Sequence, residues 1–301
     1  MKTLVIIVTY NAMKWIDRCL GSVQSSLVGT DTFVVDNGST DGTQEYINEH
    51  YPKTLFHRSE INLGFGRANN IGLQYSIDNE YDYVYLLNQD AWIMPETIGR
   101  LIEISMANPE YGILSPFQMS ADLYHIDNNF FRDSCMLAYK NEIVNDAYNG
   151  NFKKVYDVPY VMAAHWLMPI KVVKVIGGFS PTFPHYGEDC NYIDRALFRG
   201  YKIGVVPSLK AVHDRGDRVD SIEKKLYIGY TGSLQILSNP SLNNKDARRM
   251  VLQLTIRNMF KYKSFKPVLY LKRIALSIRS IKKNRETSKK QDCAFLKAGS
   301  N

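Results

Sequence analysis

Five short stretches of this chain hold side chains able to do chemistry. Asn88-Gln89-Asp90 sets a carboxylate two residues beyond an amide, just past the apolar run Tyr83 to Leu87. A carboxylate at such a strand tip, with no basic neighbour, is costly unless it is solvated or holds a cation, and hard oxygen ligands suit magnesium or manganese. Gly187-Glu188-Asp189 opens a helical run to Arg199. Its acids either cap that helix near the positive end of its dipole, or one of them takes a proton from a bound hydroxyl as general base. Adjacent residues project in different directions, so only one acid would face the reacting atom. His213, after Ala211-Val212, reads either as a structural hydrogen bonder or as a neutral imidazole completing a carboxylate-held cation site. Asp36-Asn37-Gly38-Ser39-Thr40-Asp41-Gly42 is built of turn formers. Asp36 either closes that turn or receives the N–H of a base or the hydroxyl of a ribose. Asn62-Leu63-Gly64-Phe65-Gly66-Arg67-Ala68-Asn69-Asn70 approaches a dinucleotide fingerprint. It follows the third strand, not the first, and lacks the third glycine, which argues against a nicotinamide enzyme.

The elements that must position these residues alternate. Strand-like runs occur at Leu4 to Tyr10, Thr32 to Val35, Thr54 to His57, Tyr83 to Leu87 and Tyr111 to Leu114. Helical spacing lies between them, as in Trp15, Cys19, Leu20, Val23 and Leu27. This predicts βαβ units and a mostly parallel sheet, with ligands at the carboxyl ends of its strands. There lie Thr9-Tyr10-Asn11, the Asp36 turn and Asn88-Gln89-Asp90. Residues 118–157 are polar and weakly patterned and read as an insertion or mobile loop region. A strand pair is expected at Lys202 to Val206 and Lys210 to His213, and helices beyond Ser221.

Composition bounds the rest. The chain has 301 residues, 45% hydrophobic and 22% charged, which is a globular composition. No apolar run approaches the ~20 residues of a membrane-spanning helix. Leu4 to Val8 is too short for the core of a secretory leader and reads as a buried strand. Cys19, Cys135, Cys190 and Cys293 are scattered without a C-x-x-C pair, which argues against a zinc site or disulfide framework and suggests a reducing cytoplasm. Charge is uneven. Residues 248–290 hold 14 Lys or Arg against one acid, Glu286, so a net +7 chain is a mildly acidic body with a basic tail.

Taken in order and spacing, Thr9-Tyr10-Asn11, the Asp36 turn, the Asn62 to Asn70 segment, Leu87-Asn88-Gln89-Asp90, Gly187-Glu188-Asp189 and Val212-His213 resemble the family 2 inverting glycosyltransferases, in particular their rhamnosyltransferase-like branch. The resemblance covers about residues 1–218. It implies the GT-A fold, with a nucleotide-binding half over 1–117, an acceptor half over 118–218 and a basic helical extension over 219–301. It also implies a UDP- or dTDP-sugar donor, with Thr9 and Asp36 at base and ribose, and Asn62, Arg67 and Asn69 at diphosphate and sugar. Tyr10, Asn11, Asn37, Ser39, Gly64, Asn88 and Gln89 complete that donor set. Asp90 would hold a magnesium or manganese ion with His213 as a further contact, Asp189 would be the general base, and Glu188 would position donor or acceptor. The family's metal motif commonly has acids at both ends, whereas here the first position is Asn88. The resemblance places the activity in surface polysaccharide assembly, with a glycan or lipid-linked acceptor.

In the tail, Leu271, Ile274, Ala275, Ile278 and Ile281 form an apolar stripe. It either packs on the catalytic domain beneath a solvated basic face, or docks on anionic lipid at the inner face of a membrane. No nucleic-acid motif accompanies the charge. A nucleotidyltransferase should show a Gly-rich basic loop after its first strand, which Thr9-Tyr10-Asn11-Ala12 is not. A non-catalytic nucleotide-sugar-binding scaffold is the other alternative, and the presence of both Glu188 and Asp189 counts against it. Asn129 to Asn151 and Trp166 are candidates to shape the acceptor pocket.

Overall fold

The computed structural model describes residues 1–137, 141–216 and 221–297, so the boundary expected after residue 218 lies outside the described residues. The first half runs β1 (Thr3–Thr9), α1 (Ile16–Gln24), β2 (Asp31–Asp36), α2 (Thr43–His50), β3 (Leu55–Arg58), α3 (Phe65–Asp78), β4 (Tyr83–Asn88), β5 (Ala91–Ile93) and α4 (Thr97–Ala107). The second adds β6 (Tyr111–Met119), α5 (Asn128–Phe130), α6 (Glu142–Asn149), β7 (Tyr156–Asp157), β8 (His165–Pro169), α7 (Ile170–Ile176), α8 (Glu188–Phe198) and β9 (Lys202–His213). All strands join one sheet in the order β3-β2-β1-β4-β8-β6-β9-β5, with β7 against β9. The neighbours β3, β2, β1 and β4 are parallel, as crossover helices require, and β6 lies parallel to β9. β8, β5 and β7 enter antiparallel.

Both faces of β1 are buried. Leu4 and Ile6 pack with Ala68, Leu73 and Ile77 of α3. Val5 and Ile7 pack with Ile16, Cys19 and Leu20 of α1 and with Ile98 and Leu101 of α4. A strand covered on both sides has no polar face, which is why β1 reads as an unbroken apolar run. The result is the expected α/β architecture of helix, sheet and helix layers.

Two expectations are corrected. The described part of residues 118–157 is not a loose insertion: β6 runs on to Met119, a helical turn and α6 follow, and Phe130, Cys135, Ile143 and Tyr156 are core residues. Their anchors are too widely spaced to give a periodic signal. The expected strand pair near the end of the sheet is one strand, β9, whose register against β6 shifts between Pro116 opposite Val206 and Phe117 opposite Lys210. Pro207 lies in the shift and has no N–H to give the ladder, so the strand bulges there and continues.

The basic tail forms α9 (Ile222–Ser238), α10 (Asn244–Tyr262) and α11 (Lys266–Lys290). Ser221 and Asn243 cap the first two by accepting from the N–H groups of Lys224 and Asp246. Ile274 and Ile281 of the expected stripe face inward, with Leu271 and Ile278 beside them, against Tyr230, Leu234, Val251 and Phe183. Ala275 is exposed. After α11 the chain returns to the sheet domain, where the Cys293 N–H donates to Lys174 O and Gly178 N–H to Ala294 O.

Candidate active site at the carboxyl ends of the strands

A cleft of about 750 Å³ opens where β1, β2 and β4 end. Tyr10, Asn11, Asn37, Asn62, Gly64, Arg67, Asn88, Gln89 and Asp90 line it, together with Trp15, Phe65 and His185. Cross-loop hydrogen bonds fix its rim. Gln89 accepts from the Tyr10 N–H at 2.6 Å and donates to Tyr10 O at 3.2 Å. Asn11 Oδ1 accepts from the Thr40 N–H at 2.9 Å, and Asn37 Oδ1 from the Leu63 N–H at 3.3 Å. Gly64 has φ +80°, and a Cβ there would meet Pro184 O at 2.6 Å, so only glycine lets these two loops close on each other. Arg67 is exposed at the cleft.

Four residues expected to line the donor pocket lie beneath it instead. The Asp36 carboxylate is fully buried and accepts from Thr9 Oγ1 at 2.7 Å, Ser39 Oγ at 2.5 Å, and the N–H groups of Ser39 at 2.9 Å and Gly38 at 3.2 Å. A buried carboxylate demands such donors, and here the turn supplies three and Thr9, at the end of β1, the fourth. Thr9, Asp36 and Ser39 therefore form a knot that shapes the floor. Asn69 turns back into its own helix, donating to Phe65 O at 2.9 Å.

The cation corner is made by strand pairing. β5 runs antiparallel to β9 with Ala91 opposite His213, so Asp90 meets residues more than a hundred positions away. Asp90 Oδ1 lies 3.4 Å from His213 Nε2, and the Asp214 N–H donates to Asp90 O at 2.8 Å. Asn88 Nδ2 lies 3.4 Å from the same imidazole nitrogen, while Asn88 Oδ1 is buried without a hydrogen-bond partner. No group of three His, Cys, Asp or Glu able to hold a metal occurs among the described residues. One carboxylate, one imidazole and one unpartnered amide oxygen are a partial donor set, of the kind that a cation completes with phosphate oxygens and water.

A second cleft, of about 360 Å³, shares Phe65, Asn88 and His185 with the first. Glu188 and Asp189 of the first turn of α8 line it, following Gly187 at φ +88°. The two acids differ in surroundings. The Tyr160 hydroxyl donates to Asp189 Oδ2 at 2.5 Å. Burial, with the Asp189 charge beside it, holds that phenol well above its ordinary range and keeps it a donor. Glu188 is buried and its Oε2 has no partner; burial first, then the Asp189 charge, pushes its carboxyl up to about 8.

Sequence reasoning missed Tyr160 and Arg215. Arg215 lines the Asp189 cleft, and its Nε stands 3.2 Å from His213 Nδ1, so one guanidinium reaches both centres. Its place two residues after His213 was the available signal. Trp166, an acceptor-pocket candidate, is instead a core residue with no exposed surface, its indole N–H donating to Val161 O. Asn129 lines a separate polar cleft with His213, Asp214 and Arg215.

Comparison with known proteins agrees with this geometry. The glycosyl transferase family 2 model matches residues 4–174. An N-acetylglucosaminyl-diphospho-decaprenol L-rhamnosyltransferase of Mycobacterium tuberculosis is 24% identical over 70% of this chain and 75% of its own length. An undecaprenyl-phosphate mannosyltransferase of Micrococcus luteus is 29% identical over 34% of this chain; the match spans 44% of that protein. Among solved structures, TarS of S. aureus in complex with UDP-GlcNAc superposes with TM-score 0.55 at 18% identity, over 87% of this chain and 73% of that one. The mannosyltransferase PcManGT of Pyrobaculum calidifontis, in complex with GDP-Man and manganese, gives TM-score 0.58 at 16% identity, over 95% and 83%. The fold is thus that of the GT-A glycosyltransferases, and the chain belongs to glycosyl transferase family 2.

Proposed function

We propose that this chain transfers a sugar, with inversion, from a UDP- or dTDP-sugar to a lipid-linked glycan acceptor in surface polysaccharide assembly. The observation that carries this reading is the junction of the two clefts at Asn88, Phe65 and His185. A nucleotide-sugar lying in the larger cleft would present its anomeric carbon at that junction, and an acceptor entering the smaller one would approach from the opposite side. Asp189 takes the proton of the acceptor hydroxyl as that oxygen bonds to the anomeric carbon. The bond to the phosphate oxygen breaks in the same step, and the nucleoside diphosphate leaves with the electron pair. Tyr160 holds the Asp189 carboxylate in one orientation, and the Arg215 guanidinium, beside His213 at the cation corner, would offset charge that develops on the leaving group. Asp90, His213 and the Asn88 amide oxygen would hold the divalent cation, whose charge would offset that of the leaving diphosphate.

The names of the rhamnosyl and mannosyl relatives support a polyprenyl-linked acceptor, and the tail supports work at a membrane face. No helix among the described residues is long and apolar enough to cross a bilayer. The corner between α10 and α11 instead exposes Phe260 by 80% and Phe265 by 79%, among Lys261, Lys263 and Lys266. Exposed aromatics set in basic residues suit the interface of an anionic cytoplasmic leaflet.

The test is hydrolysis and binding of a panel of UDP-, dTDP- and GDP-sugars, with and without magnesium or manganese, using Asp189→Asn as control. Slow hydrolysis of one donor that requires Asp189 supports the reading. Failure of every donor to bind overturns it.

A further inference from the structure

A further groove, of about 550 Å³, runs between α9 and α10 and shares Ile228, Gly232 and Gln235 with the Asp189 cleft. Its floor on α9 is bare at Gly229 and Gly232, although glycine inside a helix costs about 1 kcal/mol against alanine. Packing accounts for the first glycine, because a Cβ at 229 would meet Asn258 Nδ2 at 2.3 Å. It does not account for the second: a Cβ at 232 would meet nothing nearer than Leu254 Cδ2 at 3.6 Å. The missing side chain at 232 keeps the groove open into the Asp189 cleft.

Charge marks one end of this groove. Gly229 faces Asn258 while Gly232 faces Leu254, so the helices are antiparallel, and Lys225, one turn before Gly229, comes level with Lys261 and Tyr262. Arg257 lies one turn from Lys261 on the same face of α10. All three cations are exposed and line the groove, and none pairs with a carboxylate among the described residues. Three like charges with no carboxylate partner among the described residues repel one another and favour a bound anion of high charge. Beside this end stand the exposed rings of Phe260 and Phe265.

We propose that the groove seats the isoprenyl diphosphate of the acceptor. Its diphosphate lies between Lys225, Arg257 and Lys261, its lipid leaves over Phe260 and Phe265, and its sugar passes over Gly232 to Asp189. The inference rests on the transferase reading above and deepens it by naming where the acceptor is held.

The test titrates the full chain, saturated with UDP so that the donor cleft is filled, with farnesyl diphosphate, inorganic pyrophosphate and farnesol. Farnesyl diphosphate should bind more tightly than either fragment. Its affinity should fall at least tenfold in Lys225→Ala/Arg257→Ala/Lys261→Ala and in the single variant Arg257→Glu, with UDP affinity and melting temperature held. Pyrophosphate binding as tight as farnesyl diphosphate would overturn the lipid site, as would binding that both variants leave unchanged. UDP binding without farnesyl diphosphate binding would overturn the groove alone; no UDP binding by the unaltered chain would overturn the transferase reading and the groove with it.

Discussion

The Tyr160 hydroxyl donates to Asp189 Oδ2 at 2.5 Å and so ties the segment ahead of β8 to the first turn of α8. A charge-assisted bond fixes the plane of the carboxylate, and a general base works only when its free lone pair points at the proton. Asp189→Asn is expected to lose transfer by about 10²-fold to 10⁴-fold, the range for loss of general base catalysis, with donor affinity kept. Tyr160→Phe keeps the ring and removes the tether. Its kcat should fall by about tenfold, or ~1.4 kcal/mol, while the donor Kd stays within error. Steady-state kinetics beside donor titration reads both, and an unchanged kcat would remove Tyr160 from the positioning role.

Glu188 makes stability depend on pH. Its carboxyl is pushed up to about 8 in the folded chain by burial and by Asp189, against 4.5 for the ordinary group. Between those values the folded state holds a proton that the unfolded state releases, so stability falls as pH rises from about 4.5 to 8 and is level above. At 1.36 kcal/mol per unit the full difference is on the order of 3–5 kcal/mol. Glu188→Gln stays neutral and should flatten this slope. Thermal melts at pH 5.5 and 8.5 should show the variant standing higher relative to the parent at pH 8.5 than at pH 5.5; equal differences at both would contradict the buried, protonated state.

At the cation corner, Asn88 Oδ1 is buried without a partner beside Asp90 and His213. An added negative charge there should strengthen any cation bound with them. Asn88→Asp is therefore expected to lower the manganese concentration for half-maximal donor hydrolysis by about tenfold, equivalent to ~1.4 kcal/mol. His213→Ala should raise it. Metal titrations of the two variants beside the parent decide the matter, and identical curves would exclude this corner as the cation site.

Much of this site was legible because strand ends in a parallel sheet lie at one edge, so motifs far apart in sequence converge without knowledge of packing. What was not legible depended on tertiary pairing. Asp36 reads identically whether its carboxylate faces a ligand or a turn, and only the donors Thr9 and Ser39 decide. Tyr160 is one of 20 tyrosines, and its bond to Asp189 joins the segment ahead of β8 to α8, a tertiary contact that no local pattern announces. The three-residue β5 is too short for any period, yet its pairing with β9 is what brings Asp90 to His213. The inward face of α11 followed from its helical spacing, whereas the return of the chain to Gly178 had no periodic signal.

That return rests on Gly177. Its φ of +85° and ψ of −157° lie in a region open essentially to glycine. Arg195 clamps it from both sides, donating to Ile176 O at 2.9 Å and Gly178 O at 2.6 Å, while a Cβ at 177 would meet Ala294 O at 2.0 Å. Gly177→Ala therefore carries two penalties, backbone strain of about 1–3 kcal/mol and displacement of the returning segment. The two separate in a double-mutant cycle with a chain stopped after Lys290. Without the segment the clash is gone and only the strain remains, so Gly177→Ala should cost less in the shortened chain than in the full one. Equal costs, measured by denaturant unfolding, would mean that Ala294 does not hold against Gly177 in solution.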